Sequence, residues 1–198
     1  KILLMEKEIS LHNSGLIWIT GYSSSGKTTI SKALTSKLIE DGHKVVFLDG
    51  DDLRGIFGNI WGHDKESRIE LANIYFRLCS HLTSQGCLVV ISAIAMFDPV
   101  SKWVKENIEN SMQVYLNVPP ERRLERDSTT KKIFINQDLN DDYYDVPDEP
   151  DLVIDNSGES TPDQVVEKII AFFYDQNNQS ADRARSKHWD EDKKSYNF

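Results

Sequence analysis

Gly21 to Thr29 reads GYSSSGKTT and stands between the apolar run LIWIT and the amphipathic stretch ISKALTSKLIE. Its spacing is G-x-x-x-x-G-K-S/T. In such a loop the backbone N–H groups, here those of Gly21, Ser23, Ser24, Ser25, Gly26 and Thr29, surround a polyphosphate. Lys27 reaches its outer charge, and Thr28 offers a hydroxyl to magnesium. A strand feeding the loop and a helix leaving it complete the arrangement, because a helix N-terminus adds unsatisfied N–H groups and the positive end of its dipole. A second signal is VVFLDGDDLR, an apolar strand ending in Asp49, Asp51, Asp52 and Arg54. Ligands of open parallel sheets bind beyond the carboxyl ends of the strands, which brings Asp49 and Asp51 near the phosphate loop. Two carboxylates there suit two tasks. One can hold a water of magnesium's shell, and the other can accept a proton from an attacking hydroxyl. Asp52 is read as a helix cap. A solvated Asx turn is the alternative for all three aspartates.

A third signal is PPERRLERD. Arg123 and Arg126, spaced i, i+3, can share a helical face directed at a triphosphate, where guanidinium forks stabilise the charge of a transferring phosphoryl group. Arg122 is read instead as a surface ion pair with Glu121 or Glu125. Lys131 and Lys132 are candidates to neutralise phosphate charge, with a solvated charge pair as the alternative. Phe57 and Phe134 are the aromatics singled out for stacking on a base. The histidines pair with no nucleophile, and His63 is read as a cap or surface residue.

The elements that must position these residues follow from short apolar runs alternating with amphipathic stretches. LIWIT, VVFLD, CLVVISAI, MQVYLNV and DLVID read as strands. Residues 27–40, 65–85, 99–110, 121–127 and 162–174 read as helices. This is the pattern of a five-stranded parallel α/β sheet with helices on both faces. Asp64 and Thr161 are expected N-caps, Pro162 a first helical residue, and Gly42 and Gly86 helix ends. Residues 128–150 are too long and polar for an ordinary connection. The tail after Tyr174 lacks apolar periodicity and is expected to pack loosely or not at all. The expected organisation is an extension over 1–14, one domain over 15–175 and a polar tail over 176–198.

The 198 residues suffice for one core. A net charge of −9 argues against a nucleic-acid-binding body. Cys79 and Cys87 have no metal-ligand spacing and read as core thiols of a reducing compartment. No apolar run approaches the roughly 18 to 20 residues needed to span a bilayer, so no membrane partner and a cytoplasmic location are expected.

Taken together, GYSSSGKTT, FLDGDDLR, SRIE, VVISAI, RLERD and DEPDLVIDN occur in an order and spacing that resemble the adenylylsulfate kinases, P-loop enzymes, over Leu16 to Tyr174. The resemblance implies a P-loop three-layer sandwich that uses ATP and magnesium to phosphorylate the 3′-hydroxyl of a nucleotide's ribose, and a homodimer. It implies Asp51 as the base, Asp49 and Thr28 at the metal, Arg54 and Arg68 on the substrate's phosphate, Ile94 beside the substrate, and a lid within 128–150. Leu71 and the segment SAIAMFD stand where the family commonly has an Asn and a SAISPYR-like sequence, and STTKKIF replaces Lys-Gly-Leu-Tyr-Lys-Lys. IFGNIWGHDKESR and RLCSHLTSQG resemble a subgroup associated with capsule polysaccharide genes, some members of which phosphorylate cytidine diphosphoramidate. Two readings of another kind remain, a kinase for a small non-nucleotide alcohol and a nucleotide-binding module without turnover. Retention of Lys27, Thr28, Asp49 and Asp51 together speaks against the module.

Overall fold

The computed structural model describes residues 14–58, 61–62, 64–129, 132 and 143–195. In chain order these form β1 (Gly15–Thr20), α1 (Lys27–Glu40), β2 (Val45–Asp49), α2 (Gly50–Ile56), α3 (Lys65–Ser84), β3 (Leu88–Ser92), α4 (Asp98–Asn107), β4 (Ser111–Asn117), α5 (Pro120–Thr129), β5 (Leu152–Asp155) and α6 (Pro162–Ser195). The sheet order is β2-β3-β1-β4-β5 and every pairing is parallel. The five-stranded parallel sheet predicted from the apolar runs is therefore present.

Alternation along each strand divides the interior into two cores. Leu16, Trp18, Val89 and Ile91 face Leu71, Tyr75, Phe76 and Cys79 of α3 and Val100 and Val104 of α4. Ile17, Ile19, Val90 and Val114 face Ile30, Leu34 and Leu38 of α1 and Val165, Ile169 and Phe173 of α6. Both cysteines are buried without a disulfide, and burial pushes the Cys79 thiol up to about 12. Trp18 and Phe76 anchor the first core, their ring centroids 4.6 Å apart, and the Trp18 indole donates to the Ala93 carbonyl at 3.0 Å. Phe76→Ala is expected to cost about 3–5 kcal/mol of stability, from lost apolar burial plus a residual cavity. Urea denaturation checks this, and a loss of less than about 1 kcal/mol would mean the site collapses around the gap.

The helix boundaries follow local chemistry. Gly42 closes α1 at φ 91°, its N–H donating to Ile39 and that of His43 to Leu38, so the last turn's carbonyls are satisfied where a left-handed residue is needed. Asp64 caps α3 by accepting from the Ser67 N–H at 2.9 Å. Thr161 and Gln164 exchange side-chain to backbone bonds ahead of α6, a reciprocal capping box.

Two expectations are corrected. Asp52 does not cap a helix. Asp49 does, its side chain turning back to accept from the Asp51 N–H at 2.9 Å, so that α2 begins at Gly50 and Asp52 falls in its first turn. The last helix does not stop at Tyr174 but runs to Ser195. Its extension has no glycine or proline to break it and carries Gln, Ala, Arg and Lys among its polar residues, so no strong helix breaker stops the helix where apolar periodicity has ended.

Candidate active site

All the connections that follow the strands' carboxyl ends converge on one cavity of about 530 Å³. The phosphate loop follows β1, α2 follows β2, Ala93–Ala95 follow β3, α5 follows β4 and Asn156 follows β5. This is where an open parallel sheet places its ligand.

Ser23, Ser24, Gly26, Lys27, Thr28 and Thr29 line one end of the cavity. Gly26 has φ 94°, and a Cβ there would stand 2.8 Å from Asn156 Nδ2. Gly21 has φ 141°, and a Cβ there would meet the Leu116 carbonyl oxygen at 2.7 Å. Both positions therefore require glycine. The loop is buttressed from behind. Asn156 Nδ2 donates to the Ser25 carbonyl at 2.8 Å, and Arg126 Nη2 donates to the Asn156 carbonyl at 2.6 Å. Ser24 Oγ donates to the buried Asp127 carboxylate at 3.3 Å. Lys27 Nζ folds onto the Tyr22 carbonyl at 2.9 Å.

In the middle, Thr28 Oγ1 donates to Asp49 Oδ2 at 2.8 Å, and Ser92 Oγ lies 3.4 Å from Thr28 Oγ1. These are hard oxygens at the end of the phosphate loop, a donor set that fits magnesium. That ion keeps several of its waters and takes few protein carboxylates, and among the described residues no cluster of three or more His, Cys, Asp or Glu forms a fuller cage.

Asp51, Arg54, Arg68, Leu71, Tyr75, Ile94, Phe97 and Tyr144 line the other end. Arg54 donates to the carbonyls of Trp61 at 3.3 Å and Gly62 at 3.5 Å. Arg68 Nη1 donates to the Tyr144 hydroxyl at 2.6 Å. The Tyr75 hydroxyl donates to the Gly50 carbonyl at 3.1 Å, and burial pushes its pKa up to about 12, so it stays a neutral donor throughout the physiological range. Thr20 Oγ1 donates to the Ile94 carbonyl, tying β1 to the segment after β3, where Ala95 adopts φ 39°.

Of the residues singled out in the sequence, Ser23, Ser24, Gly26, Lys27, Thr28, Thr29, Asp49, Asp51, Arg54, Arg68, Ile94 and Arg126 share this cavity. Gly21 and Ser25 shape the loop without lining it. Arg123 does not reach the cavity. It is buried with its guanidinium 4.6 Å from the Tyr22 ring centroid, beneath the phosphate loop. The shared face expected for Arg123 and Arg126 is thus split, because three residues on a helix turn side chains by less than a full circle. Phe57 packs on Tyr75, ring centroids 6.1 Å apart, outside the cavity lining. Lys132 does not line the cavity, and its N–H donates to the Asp127 carbonyl at 2.9 Å. Lys131 and Phe134, with most of the expected lid, and His63 lie outside the described residues. Arg122 pairs with Glu125 at 2.8 Å on the surface, as its spacing indicated.

Residues that sequence reasoning missed are Asn156, Tyr75 and Ser92. Asn156 stood in the quoted DEPDLVIDN, where a polar residue just past an apolar strand is a usable signal. Nothing local distinguishes Tyr144 from Tyr143, yet Tyr144 lines the cavity and Tyr143 is exposed.

The adenylylsulphate kinase family model matches residues 13–155. Cytidine diphosphoramidate kinase of Campylobacter jejuni is 33% identical over 167 residues, covering 80% of this chain and 96% of its own. A probable adenylyl-sulfate kinase of Pyrococcus abyssi is 33% identical over 162 residues, covering 78% and 91%. The fold superimposes on the Mycobacterium tuberculosis APS kinase CysC, solved in complex with AMPPNP and APS, with a TM-score of 0.70 at 22% identity, over 81% of this chain and 98% of that one. No described helix is long and apolar enough to cross a membrane. With the phosphate loop, the carboxylates past β2, Arg54 and Arg68 gathered in one cavity, the chain belongs to the adenylylsulfate kinase family, as an ATP-dependent phosphotransferase acting on a hydroxyl of a nucleotide's ribose.

Proposed function

We propose that the protein transfers the γ-phosphoryl group of ATP to the 3′-hydroxyl of a ribonucleotide bound between Asp51, Arg54, Arg68 and Ile94. The observation that carries this reading is the single cavity with Lys27, Thr28 and Asp49 at one end and Asp51, Arg54 and Arg68 at the other. The phosphate-loop N–H groups and Lys27 hold the β- and γ-phosphates, and Arg126 braces the loop beside them. Thr28 and Asp49 would hold magnesium, which supplies neutralisation of the polyphosphate charge. Asp51 takes the proton of the 3′-hydroxyl as its oxygen bonds to the γ-phosphorus. The bond from that phosphorus to the bridging oxygen breaks, and ADP carries the electron pair away. Arg54 and Arg68 orient the acceptor by its anionic group.

Adenylyl sulfate is the first acceptor to test. A cytidine diphosphate derivative is the second, favoured by Leu71, which is buried and lines the acceptor end where the family commonly has a polar side chain. An apolar wall there offers no hydrogen bond to a polar edge of the acceptor, and a site that fails to pair a buried polar group discriminates against the ligand that carries it. ADP release over a panel of acceptors, compared as kcat/KM at equal magnesium, tests this. The expected outcome is turnover of both classes, with adenylyl sulfate handled less well than by typical family members. A preference for adenylyl sulfate by several orders of magnitude would mean that Leu71 does not matter, and no turnover of any ribonucleotide would overturn the reading in favour of a small-alcohol kinase. The same reading places the kinase unit over 15–175, working as a homodimer in the cytoplasm, where its ATP is supplied.

A further inference from the structure

Tyr144 lies in the stretch 143–150 that leads into β5, and it meets three separate elements. Its ring packs edge-on to Tyr22 of the phosphate loop at 6.2 Å, against Phe97 at the start of α4 at 5.5 Å, and 5.7 Å from the Arg68 guanidinium of α3. Its hydroxyl accepts from Arg68 Nη1 at 2.6 Å. The following residue fixes its backbone. The Asp145 N–H donates to the Met96 carbonyl at 2.8 Å, one carboxylate oxygen pairs with Lys65 Nζ at 2.8 Å, and the other accepts from the Asp98 N–H at 3.3 Å. The Lys65 hydrogen bond lowers the Asp145 carboxyl below its ordinary value.

An arginine side chain has many rotamers, and one that must grip an anion loses that freedom on binding unless something has already removed it. We propose that Tyr144 is a positioning residue for the acceptor: it holds the Arg68 guanidinium in a set orientation at the acceptor end of the cavity. Tyrosine suits this task because its two side-chain torsions are stopped here by aromatic packing, and its hydroxyl can accept from a guanidinium while the ring lies beside it. The inference rests on the reading above that Arg68 meets the acceptor.

Tyr144→Phe keeps the ring and removes only the hydroxyl. The expected result is an acceptor KM raised about tenfold, in line with loss of a hydrogen bond to a charged group, with kcat and the KM for ATP unchanged. In an Arg68→Ala background the same substitution is expected to have no further effect, which a general loosening of the fold would not reproduce. In the protein without nucleotides, nitrogen-15 NMR should show faster exchange of the Arg68 guanidinium N–H protons in Tyr144→Phe than in the parent. An unchanged acceptor KM, additive effects in the double variant, or unchanged guanidinium exchange would each overturn the proposal. Failure of the parent protein to phosphorylate any ribonucleotide would instead overturn the functional reading, and the exchange measurement would still decide whether Tyr144 fixes Arg68.

Discussion

Replacing Lys27 by alanine is expected to abolish measurable phosphoryl transfer, a loss of well over about a hundredfold, and to weaken nucleotide binding. Lys27 is the one cation within the loop sequence GYSSSGKTT, and Arg126, the arginine that lines the cavity beside the loop, donates to the carbonyls of Ser25 and Asn156. The ammonium rests on the Tyr22 carbonyl at 2.9 Å, a neutral acceptor from which it can swing to a more strongly charged one. Alanine is a good helix former at this first position of α1, so the fold should survive, and an unchanged melting temperature beside lost turnover separates chemistry from stability. Near-normal turnover in the folded variant would remove the phosphate loop from the mechanism.

The second large effect is expected at the two aspartates beyond β2. Asp51→Asn should lower kcat by about 10²–10⁴-fold while leaving ATP affinity largely intact, since the amide cannot take a proton from the attacking hydroxyl. Asp49→Asn should behave differently. Asp49 is buried, accepts from the Thr28 hydroxyl and caps α2 through the Asp51 N–H, so its loss should weaken the metal's hold and be partly rescued by raising magnesium, whereas Asp51→Asn should not be. Kinetics of both variants across a magnesium series check this. Identical metal dependence would sink the division of labour between them.

How much of this site could be read without coordinates depended on how local each residue's task is. The glycines and Lys27 of the phosphate loop act through a backbone turn of nine residues, and a motif that short is complete in the sequence. The alternation of five strands with helices was likewise legible, because short apolar runs and helical periodicity are properties of contiguous residues. Asp49 was recognised as a site residue but its capping was assigned to Asp52. Both are sound caps by type, and only the φ and ψ at the end of β2 decide which side chain can turn back.

Residue types and spacing by themselves determined that this chain is a parallel α/β protein with a phosphate loop after its first strand and carboxylates after its second. The tertiary structure alone decided which of the remaining polar and aromatic residues join them. Arg123 and Arg126 are three positions apart, yet one is buried against Tyr22 and the other lines the cavity, since a helix packed on a sheet offers one edge to the site and another to the core. Tyr144 meets Arg68 across 76 residues and Asn156 meets Ser25 across 131. These partners are set by the order β2-β3-β1-β4-β5, which brings the loops after distant strands to one end of the sheet. Such contacts leave no periodic trace in the chain, because the free energy that selects them comes from packing between elements rather than from preferences within any one of them.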